Sequence, residues 1–349
     1  MNRYARQIRL KEIGENGQRL IARSSVLIVG CGGLGSPVAM YLAAAGVGTV
    51  GLVDSDKVDL TNLQRQILFK ENNVGVNKAE QAYLNLKELN SAIKYKVYSE
   101  ALSAENALDI VKEYDIVVDG TDNFAAKYLI NDACFITQKP WVYGAIHRFE
   151  GQVAVFNHTS GITYRDMYSV PPPADQAPNC AEEGVMGMVA GLIGSYQALE
   201  VIKLLTGQSN DLLDGKMLIV DTLSMEHLKL KLQKNPEIKP ITSLIDYESF
   251  CASSFEIRPE VLKTSNMLEY QIIDVRELDE VINTPFTLPH THITLGEINE
   301  QIHQLDTAKK VVFVCASGIR SAKAVKLVQK TEYKGTVLSL SGGIKAWFA

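Results

Sequence analysis

The 349-residue chain has no C-x-x-C pair. Its five cysteines, at positions 31, 134, 180, 251 and 315, are odd in number and widely spaced, and no apolar signal core opens MNRYARQIRLKEIG. This argues against a disulfide framework and for reduced thiols, buried or catalytic. An excess of positive charge is missing too: 35 Lys and Arg stand against 40 Asp and Glu, a formal charge of -5. No basic face for neutralising phosphates is advertised, so nucleic acid is not an expected partner. The longest apolar run, Val38 to Val50, is too short and too rich in glycine to cross a bilayer, so no membrane association is expected and the cytoplasm is the expected location. Low-complexity tracts and internal repeats are absent. What remains is 46% hydrophobic and 21% charged, the balance of a globular enzyme. The length suits two domains, each able to bury a core without staples.

Short apolar runs at Ser25 to Gly30, Thr49 to Asp54, Tyr95 to Tyr98, Ile116 to Asp119 and Trp141 to Ala145 read as strands. Between them Leu34 to Ala45, Lys78 to Leu89 and Phe124 to Ile136 have helical spacing. Alternation of this kind implies an α/β domain with a largely parallel, Rossmann-like sheet. From Gly151 the pattern changes to antiparallel additions, Gln152 to Phe156, Lys216 to Val220 and Glu226 to Lys231, around a long helix, Met188 to Thr206, so the sheet is mixed. The stretch Gly161 to Cys180, with Pro171-Pro-Pro and Pro178, reads as a long functional loop. The polar, Pro-punctuated stretch near Asn235 reads as a linker, giving a first domain over 1–235, a linker over 236–255 and a smaller α/β domain over 256–349.

Gly30-Cys-Gly-Gly-Leu-Gly35 lies between a strand and a helix, where backbone N–H groups and a helix N-terminus can meet phosphates. Asp54 ends the next strand, about twenty residues on, as a ribose-binding carboxylate should. This much fits an NAD-dependent oxidoreductase equally well. The following residues decide between them: Asn62 and Arg65 in Asp59-Leu-Thr-Asn-Leu-Gln-Arg-Gln66, and then Lys78, place polar and cationic groups near the phosphates. Hydride transfer has no need of several cations, whereas attack on an α-phosphate accumulates charge on its oxygens and on departing pyrophosphate. Asp119-Gly-Thr-Asp-Asn123 ends another strand at the same edge, where Asp122 can hold Mg²⁺ and Asp119 caps the turn. Cys31, inside the glycine turn, reads as a packing residue.

Together RYARQ, GCGGLG, LVDSDKVDLTNLQRQ, GVNKAE, DGTDN, GQVAVF and NCAEEGVMG resemble the MoeB/ThiF adenylyltransferases, relatives of the ubiquitin-activating enzymes. The resemblance implies ATP and Mg²⁺ as cofactors. By matching position, Gly30, Gly32, Gly33 and Gly35 approach the phosphates, Asp54 holds the ribose, Asn62, Arg65 and Lys78 contact the triphosphate, and Asp122 is the metal ligand. Arg6, in RYARQ, matches an arginine finger that enters the neighbouring subunit's site, implying a homodimer. Cys180 matches a crossover-loop cysteine able to bond covalently to the activated carrier. Many members of this family hold a structural zinc with two C-x-x-C pairs. Here the matching stretches read Tyr164-Arg-Asp-Met-Tyr168 and Lys234-Asn-Pro-Glu-Ile238, and His158 with His227 cannot replace four ligands, so no zinc is expected.

In the second domain Ile272-Ile-Asp-Val-Arg276, Val311 to Ser321 and Ser341-Gly-Gly-Ile-Lys-Ala-Trp347 resemble a rhodanese domain. Cys315 ends a strand and precedes a tight loop and a helix, so loop amides and helix dipole can stabilise a persulfide anion. Cysteine phosphatases share the arrangement but space cysteine and arginine as C-x-x-x-x-x-R. Cys315 and Arg320 are one residue closer, a smaller cradle that favours sulfur. Asp274 and Arg276 read as loop braces, Arg320 as an aid to binding an anionic donor, and His290 and His292 as surface or loop residues.

The resemblances together imply adenylation of the C-terminal glycine of a ubiquitin-like sulfur-carrier protein ending in Gly-Gly, followed by rhodanese-mediated conversion to the thiocarboxylate. A persulfide donor such as a cysteine desulfurase is implied as a further partner. Molybdopterin synthesis is the expected pathway, with thiamine synthesis and tRNA thiolation as alternatives. A non-catalytic carrier-binding module is the other class of reading.

Overall fold

The computed structural model describes residues 3–171, 184–208, 211–247, 250, 255–329, 331 and 333–348. Its contacts divide the chain into two units, Met1–Cys251 and Ala252–Ala349.

The first unit opens with helices α1 (Ala5–Ile8) and α2 (Gly14–Arg23), then alternates β1 (Ser25–Val29), α3 (Gly35–Ala45), β2 (Thr49–Val53), α4 (Lys78–Leu89) and β3 (Lys94–Tyr98). It continues through α5 (Ala107–Val111), β4 (Ile116–Asp119), α6 (Phe124–Ile136), β5 (Trp141–His147), β6 (Glu150–Phe156), α7 (Tyr164–Met167), α8 (Gly187–Leu205), β7 (Lys216–Asp221) and β8 (Glu226–Lys231). The eight strands run in the order β3-β2-β1-β4-β5-β6-β7-β8. Pairings from β3 to β5 are parallel, and those from β5 to β8 antiparallel. Central β1 is apolar at every position after Ser25 because helices cover both of its faces. Val26 and Ile28 pack with Val38 and Leu42 of α3 and Ile193 of α8, while Leu27 and Val29 pack with Tyr128 and Leu129 of α6.

By length and composition alone α8 would pass for a membrane span, a feature the reading of Val38 to Val50 overlooks. It is instead a core helix packed on α3, β5 and β6. Buried Gln197, in its middle, donates to the carbonyl oxygen of Asp119 at 2.7 Å. The stretch expected to be an irregular loop contains α7, whose four residues are too few to show a period. Its start is set by the Asn131 side chain, which accepts from the Tyr164 amide at 2.8 Å. Residues 172–183 of that stretch lie outside the described residues.

The two segments in which cysteine pairs are missing, near Tyr164 and near Lys234, are joined by Asp166. One carboxylate oxygen accepts from the amide and hydroxyl of Thr163, at 2.7 and 2.8 Å, and the other from the amide of Asn235 at 2.9 Å. Lys234 donates to the carbonyl of Gly161. Beside this clamp Arg165 makes a two-point ion pair with buried Asp132, at 2.8 and 2.7 Å, and Tyr247 donates to the same carboxylate at 2.8 Å.

The second unit carries β9 (Glu256–Ile257), α9 (Pro259–Thr264), β10 (Tyr270–Asp274), α10 (Leu278–Asn283), β11 (Thr291–His292), β12 (Lys310–Val314), α11 (Ile319–Gln329), β13 (Val337–Leu340) and α12 (Gly343–Trp347). Its sheet, β11-β10-β12-β13-β9, is parallel throughout. Central β12 is buried from Val311 onward, and Cys315 follows its last residue.

Candidate active sites

The nucleotide turn leaves β1 at Gly30, whose φ is +90°. The turn of residues 119–123 leaves neighbouring β4, and the two backbones touch: a Cβ on Gly30 would lie 2.8 Å from the carbonyl of Gly120. A Cβ on Gly35 would collide with the carbonyl oxygen of Gly30. Only glycine permits this closeness, and it leaves the first turn of α3 facing the strand ends, where a phosphate can approach bare amides.

Asp54, at the end of β2, accepts from the amides of Cys31 and Asp56, each at 2.8 Å. Burial raises its pKa, opposed by those hydrogen bonds and by Lys78. Lys78 opens α4 with its ammonium on Asp56 at 2.9 Å, and the preceding Asn77 caps that helix and donates to the Asp54 carbonyl at 3.0 Å. Asp54 and Lys78 are thus drawn together through Asp56 and Asn77. Asn62 belongs to a single 3-10 turn capped by Asp59, and its carbonyl accepts from the amides of Arg65 and Gln66 at 3.1 and 3.0 Å. Folding back in this way lays the Arg65 stem over Gly33, where a Cβ would lie 3.5 Å from its Cγ and Cδ.

Asp119 is fully buried and accepts from the Thr121 amide at 2.9 Å and hydroxyl at 2.6 Å. Its other oxygen pairs with the buried Lys127 ammonium at 2.6 Å, and Lys127 also donates to the carbonyls of Thr121 and Gly144. Asp122 projects from the turn so braced, exposed and without an ion pair or hydrogen bond among the described residues. One hard, unpaired carboxylate beside a phosphate site suits Mg²⁺, which takes few protein ligands and completes its shell with phosphate and water.

Arg6 is not brought to this turn within one chain. Helix α1 is fastened to the other end of α3, where Gln7 donates to the Ala45 carbonyl at 3.3 Å and Tyr4 packs beneath Gly46. The eleven residues of α3 separate the two ends by about 16 Å. Cys31 and Cys134 are fully buried, which pushes both thiols well up. Cys180 and Cys251 lie outside the described residues.

Cys315 is 1% exposed. Its Sγ accepts from the Gly318 amide at 3.2 Å and lies 3.4 Å from the Ser321 hydroxyl, which Ser339 supports at 2.8 Å. The start of α12 is pinned against this loop: Ile344 donates to the Cys315 carbonyl at 2.8 Å and Lys345 to that of Ala316 at 3.1 Å. A Cβ on Gly343 would strike the Cys315 carbonyl and the amides of Ser317 and Gly318. The sulfur therefore sits just before the N-terminus of α11 with the Gly318 amide and the Ser321 hydroxyl on it. Asp274 and Arg276 form a buried pair at 2.7 Å, and His292 bonds the Arg276 carbonyl at 2.7 Å. These two braces hold as expected. His290 lies in a loop, as expected, half-buried with the Leu288 carbonyl as its partner, whereas His292 belongs to β11 and is half-buried.

Four residues escaped the sequence reading. Lys127 follows Asp119 by eight positions, so no local pattern pairs them. Gln66 is 4% exposed, its amide nitrogen faces Gly32, and its Oε1 has no partner among the described residues. A buried lone acceptor is unusual in a protein without ligand, yet the motif presents Gln66 only as a neighbour of Arg65. Asp166 and Glu280 act across gaps of 69 and 40 residues.

Residues 4–240 match the ThiF family and residues 258–349 the rhodanese-like domain. A relative named probable adenylyltransferase/sulfurtransferase MoeZ, from Mycobacterium tuberculosis, is 40% identical and aligns with 99% of this chain and 92% of its own. The adenylyltransferase and sulfurtransferase MOCS3 of Mus musculus is 38% identical, over 99% of this chain and 85% of its own. Among solved structures, E. coli MccB with ATP shares the fold with a TM-score of 0.60 and 24% identity, over 69% of this chain and 74% of that one. With the glycine turn on β1 and the cysteine cradle on β12 both matched, the chain belongs to the ThiF family and carries a C-terminal rhodanese domain.

Proposed function

We propose that the first unit adenylates the C-terminal glycine of a ubiquitin-like sulfur carrier and that Cys315 supplies the sulfur that makes it a thiocarboxylate. One observation carries this reading: a phosphate-ready turn and a buried, amide-held thiol occur on one chain, and the names of its relatives pair an adenylyltransferase with a sulfurtransferase.

ATP binds with its phosphates along Gly32, Gly33 and Gly35, its ribose at Asp54 and its triphosphate against Asn62, Arg65 and Lys78. Asp122 would hold Mg²⁺, which would offset phosphate charge. The carrier carboxylate attacks the α-phosphorus, an O–P bond forms, and the bond to the β-phosphate oxygen breaks to release pyrophosphate. Arg65 and Lys78 stabilise the charge that develops. Arg6 is held away from the turn of its own chain, which supports a homodimer in which it serves the partner's site.

The terminal sulfur of the Cys315 persulfide then attacks the acyl carbon, expelling AMP and forming an acyl disulfide. A second thiolate, which we assign to Cys180, attacks the Cys315 sulfur. The thiocarboxylate leaves with the electron pair, and the protein disulfide is returned to thiols by an external dithiol. A cysteine desulfurase is a suitable source of the persulfide, and molybdopterin synthesis is the favoured destination, with thiamine or tRNA thiolation as alternatives. Carrier-dependent ATP–pyrophosphate exchange with Mg²⁺ tests the adenylation half. No exchange with any Gly-Gly carrier of the organism would reduce the first unit to a binding module.

A further inference from the structure

Arg320 is the cation that the sequence offers to an anionic donor, yet the fold commits it elsewhere. Its two terminal nitrogens each donate to one oxygen of Glu280 at 2.6 Å, the parallel fork that makes guanidinium–carboxylate pairs strong. The scaffold fixes Glu280 as well. Its backbone carbonyl accepts from buried Arg276 at 3.2 Å, and Arg276 is anchored on Asp274. The Glu280 and Arg320 side chains are 34% and 30% exposed, so the pair stands at the surface rather than in the core.

Hydrogen bonds from Arg320 hold the Glu280 carboxyl down at about 2, so the pair persists throughout the physiological range. Arg320 in turn is raised above its ordinary value, first by its hydrogen bonds to Glu280 and more weakly by Cys315 and Glu277. Arg320 stands in the first turn of α11, two residues after Gly318, whose amide meets the Cys315 sulfur at 3.2 Å, and its charge is already paired with Glu280.

Donors differ in how much they need that charge. Thiosulfate brings two negative charges to the Cys315 thiolate. A bond forms from Sγ to its outer sulfur, the S–S bond of thiosulfate breaks, and the electron pair leaves on sulfite. A persulfide carried on a thiol brings one charge to the same attack and releases a thiolate. We propose that Glu280 is a specificity-determining residue: by occupying Arg320 it disfavours small dianionic sulfur donors and reserves Cys315 for persulfides carried on thiols. The inference rests on the reading of Cys315 as a persulfide carrier.

The test is steady-state sulfur transfer to cyanide by the full-length protein, comparing thiosulfate, a dianion, with benzenethiosulfonate, a monoanion. Freeing Arg320 in Glu280→Gln should raise kcat/KM for thiosulfate about tenfold, chiefly through KM. The gain for benzenethiosulfonate should be much smaller, and both gains should vanish in Glu280→Gln/Arg320→Gln. Thermal melting checks that the variants are folded. Should Glu280→Gln fail to fold, Glu280→Asp keeps the charge while breaking the fork, and a smaller rise for thiosulfate is expected. Unchanged or reduced thiosulfate kcat/KM in a folded variant overturns the proposal, as does an equal loss for both donors, the mark of a merely structural role. A wild-type protein that transfers sulfur from neither donor overturns the reading of Cys315 itself.

Discussion

The two units use one device, a turn that leaves a buried parallel strand and opens a helix, in opposite ways. Around the Gly30 turn the working groups come from positions scattered between 30 and 127, and two carry atoms without a partner among the described residues: Gln66 keeps a lone buried acceptor, and Asp122 stands unpaired. Around Cys315 the sulfur already accepts from Gly318, and Ser321 and Ser339 back it. The first site leaves polar atoms open to a ligand; the second already places donors on its sulfur, an arrangement that suits a sulfur anion. This suits a chain in which one site meets a transient substrate and the other stores a cargo.

Substitutions can break the comparison on one side at a time. The largest effect is expected from Gly35→Ala, whose methyl group collides with the Gly30 carbonyl. Pyrophosphate exchange should fall to background, while persulfide loading of Cys315, read by mass spectrometry, stays at the wild-type level. Next is Lys127→Met, which leaves Asp119 charged and uncompensated in the core. Breaking a buried pair in this way costs about 3–5 kcal/mol, to be read as a lowered urea midpoint for the first unit. The turn bearing Asp122 should loosen with it, so exchange should weaken too.

The smallest effect concerns the Glu280–Arg320 pair. Its folded-state carboxyl lies at about 2, below the ordinary 4.5, so the pair stabilises the fold above about pH 4.5 and loses that contribution as pH falls toward 2. Thermal melts between pH 7 and pH 2 should therefore show the wild-type advantage over Glu280→Gln shrinking across that window. A constant difference would mean that the charge plays no part.

Much of this architecture was legible because it is local. β1, α3, α4, α6 and β8 announce themselves through apolar runs, helical spacing and an antiparallel alternation, and the two turns are contiguous motifs. Residues whose role depends on distant neighbours were hidden: Lys127 reads as a solvated charge until α6 is laid beside β4, and Asp166 reads as loop polarity until Asn235 arrives beside it. Helix α7 was missed for want of length. Arg320 shows the subtler failure. Its position was read well, but its commitment to Glu280 is a property of the fold, because a carboxylate 40 residues away leaves no local trace.

The central claim is the division of labour between the two units, and Cys315→Ala in the full-length protein tests it most directly. Pyrophosphate exchange and carrier thiocarboxylate should be measured on the same preparation, with a Gly-Gly carrier, ATP, Mg²⁺ and a persulfide donor. The account predicts wild-type exchange with no thiocarboxylate. Loss of both activities in a folded variant, or thiocarboxylate formed without the thiol, would contradict it.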